Sequence, residues 1–189
     1  MLYLASQSPR RRMLLRHLGI PFRAVRSAYC ETIRRGESPS ANAMRNALGK
    51  ARKAKLPRHA KGVVIGADTF LYFRGRVMGK PKTLRQARQW LRALSGRHHW
   101  VYTGLCVLDL ETGRYCTSYE QTKVTFKTMS PETISRYLAR VSPLDKAGGY
   151  AVQEDRGALI ARMKGSRSNV IGLPLALLRR ELRVFRRII

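Results

Sequence analysis

The stretch Leu4-Ala5-Ser6-Gln7-Ser8-Pro9-Arg10-Arg11-Arg12 constrains the fold most. The apolar run Leu2 to Ala5 predicts a short strand, and the residues after it predict a helix start. Ser8 can accept a hydrogen bond from a free N–H of the first turn, and Pro9 suits the first helical position. Leu14, Leu15 and Leu18 fall at helical spacing, and Gly19 offers a stop. Three arginines crowd the first turn, where the helix already carries partial positive charge. Each cation there is unfavourable by a few tenths to about 1 kcal/mol. Free N–H groups, two hydroxyls and a guanidinium cluster at one helix start make an anion site, best suited to phosphate. The alternative is a solvated basic face.

Charge sharpens that choice. The 189-residue chain carries 38 Lys and Arg against 11 Asp and Glu, a net of +27. Residues 1–95 hold 22 basic residues and only Glu31, Glu37 and Asp68 as acids. In so acid-poor a half, each carboxylate is a candidate for work that only a carboxylate can do. The basic residues are spread along the chain, which argues against a disordered nucleic-acid arm. Cys30, Cys106 and Cys116 are odd in number and form no CxxC pair, and the four histidines lack metal-ligand spacing. Neither a disulfide framework nor a zinc site is expected, and a reducing cytoplasmic setting follows. No apolar run reaches the length of a membrane span.

Further along, Pro21 to Val25 predicts a strand. Ser38-Pro39 repeats the cap-then-proline signal before a helix that reaches about Lys55 and carries Lys50. Gly62 to Ile65 reads as a buried strand delivering Gly66-Ala67-Asp68-Thr69 at its C-terminal end, where α/β proteins gather ligand sites. A hairpin over Phe70 to Met78 ends in Gly79-Lys80-Pro81. Thr83 starts a helix whose inward face includes Trp90, and residues 98–110 and 115–127 predict two long strands. Ser130-Pro131 starts another helix. Asp145 to Tyr150 is turn-like, Leu159 to Met163 predicts a strand, and a helix with Leu175, Leu178 and Leu182 inward closes the chain. The length suits one domain spanning residues 1–189, of α/β class.

A cationic cluster, a carboxylate at a strand end and scattered lysines suit phosphoanhydride hydrolysis. The cations would offset phosphate charge, and the carboxylate would activate water or hold a divalent cation. Walker A, GxGxxG and nucleophile-elbow patterns are absent.

Taken in order, Leu-Ala-Ser-x-Ser-Pro-Arg-Arg, Gly-Ala-Asp-Thr, Gly-Lys-Pro, Leu-Ser-Gly…His, Tyr-Thr-Gly, Asp-Lys-Ala-Gly-x-Tyr and Gly-Leu-Pro-Leu resemble the Maf family of nucleoside triphosphate pyrophosphatases. The match runs from residue 2 to about 178. The resemblance implies an α/β fold related to the inosine triphosphatases, with two lobes around a central cleft. It implies cleavage between the α and β phosphates with Mg²⁺ or Mn²⁺, and a homodimer.

By the same resemblance, Asp68 matches the proton acceptor, Ser6, Arg10 and Arg11 the phosphate-binding loop, and Lys50 and Lys80 lysines that reach the triphosphate. Asp145 and Lys146 match a further substrate-binding motif. Glu31 matches one of an acidic pair that places the metal with Asp68, although Cys30 stands where its acidic partner would be. Arg10, Thr69 and Gln153 match the branch acting on dTTP and UTP. Gln153 makes chemical sense there, because one amide both donates to and accepts from a pyrimidine edge. The alternatives are a nucleic-acid-binding protein, for which no recognised motif is present, and a family member acting on 7-methyl-GTP or modified pyrimidines. Non-specific polyanion binding is compatible with either.

Overall fold

The computed structural model describes residues 1–184. Helix starts follow the local chemistry of the chain. Helix α1 (Pro9–Arg16) begins after Ser8, whose hydroxyl accepts from the Arg11 N–H. Helix α2 (Pro39–Arg52) begins after Ser38, which accepts from the Ala41 N–H at 3.1 Å. Thr83 and Ser130 cap α3 (Leu84–Leu94) and α4 (Pro131–Arg140) in the same way. Each cap satisfies one of the donors that a helix start leaves open.

Seven strands hydrogen-bond in the order β2-β1-β3-β5-β6-β7, with β4 on β3. They are β1 (Leu2–Leu4), β2 (Phe22–Ala24), β3 (Val63–Phe73), β4 (Arg76–Met78), β5 (His98–Asp109), β6 (Tyr115–Phe126) and β7 (Ile160–Lys164). Short helices α5 (Arg167–Ile171) and α6 (Leu175–Val184) follow. The described chain divides into two compact units, one of residues 1–68, 103–120 and the segment from 172 onward, the other of residues 69–102 and 121–171.

In the first unit β1 pairs in parallel with β2 on one side and with β3 on the other. The chain passes from β1 to β2 through α1, then returns past β1 to β3 through α2. Strand order therefore reverses beside β1, the position where open α/β sheets gather ligands. Two glycines let α2 lie close to the sheet. A Cβ on Gly66 would stand 2.1 Å from the Ala47 carbonyl oxygen, and one on Gly104 2.2 Å from Ala43. Tyr3, Val25, Ala47, Ala51, Val64 and Cys106 fill the core between helix and sheet.

The second unit packs Leu71, Leu91, Leu94, Val101, Phe126, Ile134, Tyr137 and Leu159 around the other halves of β3, β5 and β6. His99 and Tyr150 lie among these apolar groups, joined by a 2.7 Å hydrogen bond. Trp90 packs at the edge of this core, as its helical spacing predicts.

Two expectations need correction. Asp68 lies in the middle of an 11-residue strand, because β3 does not stop after Ile65. It changes partner, from β1 through Ile65 to antiparallel β4 from Leu71, and Asp68 falls between these two pairings. Helix α2 ends at Arg52 rather than near Lys55, because residues 53–55 turn to pair with residues 26–28.

Candidate active site

The first unit brings together residues far apart in the chain. Ser6 follows the C-terminal end of β1, and its hydroxyl accepts from the Ser8 N–H at 3.2 Å and from Arg11 Nη1 at 3.3 Å. Arg11 Nε donates to the Gly172 carbonyl at 2.8 Å. The guanidinium is thus held at the helix start by a hydroxyl and a distant backbone carbonyl. Burial pulls its pKa below the ordinary arginine value, and the charges of Asp68 and Glu31 offset that only in part. Arg10 occupies the same first turn, half-buried.

On the neighbouring strand Asp68 is 4% exposed. Its Oδ1 accepts from Lys50 Nζ at 2.8 Å and its Oδ2 from Asn46 Nδ2 at 2.8 Å. Lys50 is itself buried on α2, where Nζ also donates to the Ala67 carbonyl at 3.2 Å and ion-pairs with Glu31. Two carboxylates 37 residues apart in sequence thus converge on one ammonium. Burial opposes ionisation of Asp68. The charge and hydrogen bond of Lys50, the hydrogen bond of Asn46 and the charge of Arg11 outweigh it and hold the carboxyl below its usual range.

The segment carrying Glu31 has no regular structure, yet one face of α2 holds it. Asn42 accepts from the Arg34 N–H at 2.8 Å. Arg45 reaches the Thr32 hydroxyl at 2.8 Å and the Thr32 carbonyl at 3.2 Å, and pairs with Glu37 at 3.0 Å. Asn46 Oδ1 accepts from the Thr32 N–H and the Tyr29 hydroxyl, each at 3.2 Å. Gly49 makes room for the Tyr29 ring. Asn42, Arg45, Asn46 and Gly172 are site neighbours that the sequence reading missed. Polar residues on the inward face of a helix, as Asn42 and Asn46 are, were the available signal.

The donor set suits a hard divalent cation. Glu31 and Asp68 offer carboxylate oxygens within reach of one point, as Mg²⁺ and Mn²⁺ require, and such ions need only one or two carboxylates beside substrate phosphates. Cys30 is exposed and brings a soft thiol that suits these ions poorly. Among the described residues no group of three or more His, Cys, Asp or Glu is placed to hold a metal by protein ligands alone.

The second unit holds the remaining expected residues. Lys80 is exposed, and the preceding Gly79 carbonyl accepts from the Gly148 N–H at 2.8 Å, which ties its loop to the 145–149 turn. Gly148 takes φ 70°, and a Cβ there would stand 2.5 Å from the Leu71 side chain. Lys146 is buried and committed within its own turn, donating to the Ser142 carbonyl and to Asp145, both at 2.7 Å, and pairing with Glu154 at 3.5 Å. Thr69 is half-buried on β3, next to Asp68. Gln153 is half-buried, and its Oε1 is shielded from solvent with no hydrogen-bond partner among the described residues. That is a costly arrangement unless a donor reaches it.

Comparison with known proteins agrees with this geometry. A family model described as "Maf-like protein" matches residues 1–185. The chain is 42% identical over 182 residues to a protein of Bacillus cytotoxicus named dTTP/UTP pyrophosphatase, covering 96% of this chain and 94% of that one. Proteins of the same name from Bacillus mycoides (43% over 182 residues) and Moorella thermoacetica (42% over 184) match with coverage of 96% and 97% of this chain and 94% of each relative. No helix among the described residues is long and apolar enough to cross a membrane.

Proposed function

Because the chain belongs to the Maf-like family, we propose that it hydrolyses nucleoside triphosphates between the α and β phosphates, releasing a nucleoside monophosphate and pyrophosphate, with dTTP and UTP preferred. The observation that carries this reading is the pair of carboxylates, Asp68 and Glu31, gathered on Lys50 within the field of Arg11. Such a cluster neutralises a polyphosphate and keeps an ionised carboxylate beside it.

In this mechanism the guanidinium groups of Arg10 and Arg11 at the α1 start take the phosphate oxygens. Lys50 sits on a flexible four-carbon stem and can swing from Asp68 Oδ1 to a phosphate oxygen. That movement opens Oδ1 to a water molecule. The water oxygen bonds to phosphorus, its proton passes to Asp68, and pyrophosphate leaves with the bridging electron pair. Asn46 keeps its bond to Oδ2 throughout, so the carboxylate does not rotate away. Glu31 and Asp68 would hold Mg²⁺ or Mn²⁺, which supplies positive charge to the phosphate oxygens and lowers the cost of attack. Lys80, Asp145 and Lys146 enter this reading as substrate-binding residues through the family resemblance alone. Gln153 Oε1 is the acceptor for the ring N–H of a thymine or uracil, with Thr69 beside the base. A homodimeric, cytoplasmic enzyme is part of the same reading.

A second activity has its own supporting observation. The Lys55 N–H donates to the Arg26 carbonyl at 2.7 Å and the Ala28 N–H to the Lys53 carbonyl at 2.9 Å. This pairing brings the segments carrying the exposed Arg26, Lys53 and Lys55 side by side, a local excess of like charge that a polyanion would relieve. Binding of this kind is blind to sequence and falls steeply with salt.

The test is pyrophosphate release from a panel of nucleoside triphosphates, with and without Mg²⁺, by the wild type and Asp68→Asn. General-base loss is worth about 10²–10⁴-fold, so turnover of dTTP should drop at least ~100-fold while nucleotide binding persists. A folded Asp68→Asn variant with wild-type turnover overturns the mechanism.

A further inference from the structure

We propose that Asn46 is a positioning residue whose amide sets the separation of the Glu31-bearing segment from Asp68, and thereby the affinity of the pair for a divalent cation. The proposal rests on the pyrophosphatase reading for its consequence in catalysis, but the geometry it describes does not.

Asn46 is 0% exposed and lies on the face of α2 that also buries Ala43 and Ala47. Nothing about helix–sheet packing calls for an amide at that position. Asparagine is a poor residue for a helix interior, and an amide taken out of water costs free energy unless its hydrogen bonds are replaced. An apolar side chain of similar volume would satisfy the packing without either cost.

What the amide does instead is join two segments. Nδ2 donates to Asp68 Oδ2 at 2.8 Å, and Oδ1 accepts from the Thr32 N–H and the Tyr29 hydroxyl at 3.2 Å each. Glu31 lies between Tyr29 and Thr32. One buried side chain therefore holds the backbone beside one carboxylate and an oxygen atom of the other.

Lys50 makes the parallel connection through charge, to Glu31 and to Asp68 Oδ1. A divalent cation and a triphosphate both compete for that connection, the first for the carboxylates and the second for the ammonium. The Asn46 connection is neutral and uses Oδ2 and a backbone N–H, so neither competitor displaces it. Arg45 and Asn42 hold the same segment to α2, yet of these three side chains only Asn46 also touches Asp68. The pair of carboxylates keeps its spacing through Asn46 when Lys50 turns elsewhere. Groups that orient ligands from behind in this way are worth about 10–100-fold in metal affinity or activity.

The experiment compares wild type with Asn46→Leu, which keeps the branching at Cγ and removes both connections. Three quantities are read: Mn²⁺ affinity without nucleotide, by electron paramagnetic resonance; exchange of the Thr32 amide hydrogen; and kcat and KM for dTTP. Mn²⁺ binding should weaken about 10–100-fold, the Thr32 amide should lose protection, and kcat should fall by a similar factor with KM little changed. A variant that melts lower but binds Mn²⁺ as the wild type does, in its folded fraction, overturns the proposal. If Asn46→Leu does not fold, Asn46→Ala removes the amide in favour of the best helix former and is read by the same outcomes. Should the wild type hydrolyse no nucleoside triphosphate, weakened Mn²⁺ binding and lost Thr32 protection would still uphold the role of Asn46, and only the reading of function would fail.

Discussion

Lys50 Nζ and Asp68 Oδ1 form a 2.8 Å ion pair in which both residues are almost removed from solvent, at 8% and 4% exposure. Taking Lys50 away leaves Asp68 buried with only the Asn46 hydrogen bond and the charge of Arg11 to offset its burial. Removal of one partner from a buried pair costs about 3–5 kcal/mol. Lys50→Met, of similar length and apolar, should therefore lower stability by that order in urea unfolding. Because Glu31 and Asp68 then face each other without an ammonium between them, Mg²⁺ should restore part of the loss. A Lys50→Met variant as stable as wild type and indifferent to Mg²⁺ would contradict the pairing.

Close approach of α2 to the sheet at Gly66 is what brings Asn46 and Lys50 to Asp68. Gly66→Ala sets a methyl group 2.1 Å from the Ala47 carbonyl oxygen, backbone that cannot step aside without moving the helix. Overpacking of this kind costs typically about 1–3 kcal/mol. Stability should fall by at least that much, and activity should fall further than the folded fraction accounts for, since α2 carries site residues. Differential scanning calorimetry beside pyrophosphate release measures both.

Selectivity should depend on Gln153. Its Oε1 is buried with no hydrogen-bond partner among the described residues, so Gln153→Ala removes the proposed base contact together with an unpaired buried oxygen. A net hydrogen bond of about 0.5–1.5 kcal/mol corresponds to a loss of roughly 2- to 12-fold in kcat/KM for dTTP and UTP. Purine triphosphates should change little, so discrimination narrows. Equal losses on every nucleotide would make Gln153 a catalytic or structural residue instead.

Acid stability should report His99. Burial, reinforced by the charge of His98, lowers its pKa from 6.5 to about 3, and it is 1% exposed. The folded protein keeps the ring neutral over a range in which the unfolded chain takes up a proton. Stability from this residue is complete above pH 6.5 and is lost as pH falls from there towards 3, following the sign required by linkage. His99→Gln retains a group for the Tyr150 hydroxyl but does not titrate. It should be less stable at pH 7 yet show a flatter decline between pH 6.5 and 3 in urea titrations. A decline as steep as that of wild type would assign acid sensitivity to other groups.

Much of the architecture was legible because it is local. A helix cap involves residues three apart, so Ser8, Ser38, Thr83 and Ser130 announce their helices without reference to the rest of the chain. The long strands β5 and β6 follow from extended runs broken by Glu111-Thr112-Gly113, and Gly113 takes the positive φ that the turn needs. The acid-poor half likewise marked Glu31, Glu37 and Asp68 by rarity, and the family resemblance selected Glu31 and Asp68 among them. Tertiary structure decided everything that depends on which segments meet. The length of β3 was illegible because its continuation past Ile65 depends on partners other than β1, and pairing partners are not encoded in a strand's own residues. Asn46 reads as one more polar residue until α2 is laid on the sheet, since its partners are Thr32, 14 residues before it, and Asp68, 22 after it. Local propensity acts through neighbours on the chain, whereas the convergence of Asp68, Lys50, Glu31 and Asn46 arises only when the return past β1 to β3 brings distant segments into hydrogen-bonding range.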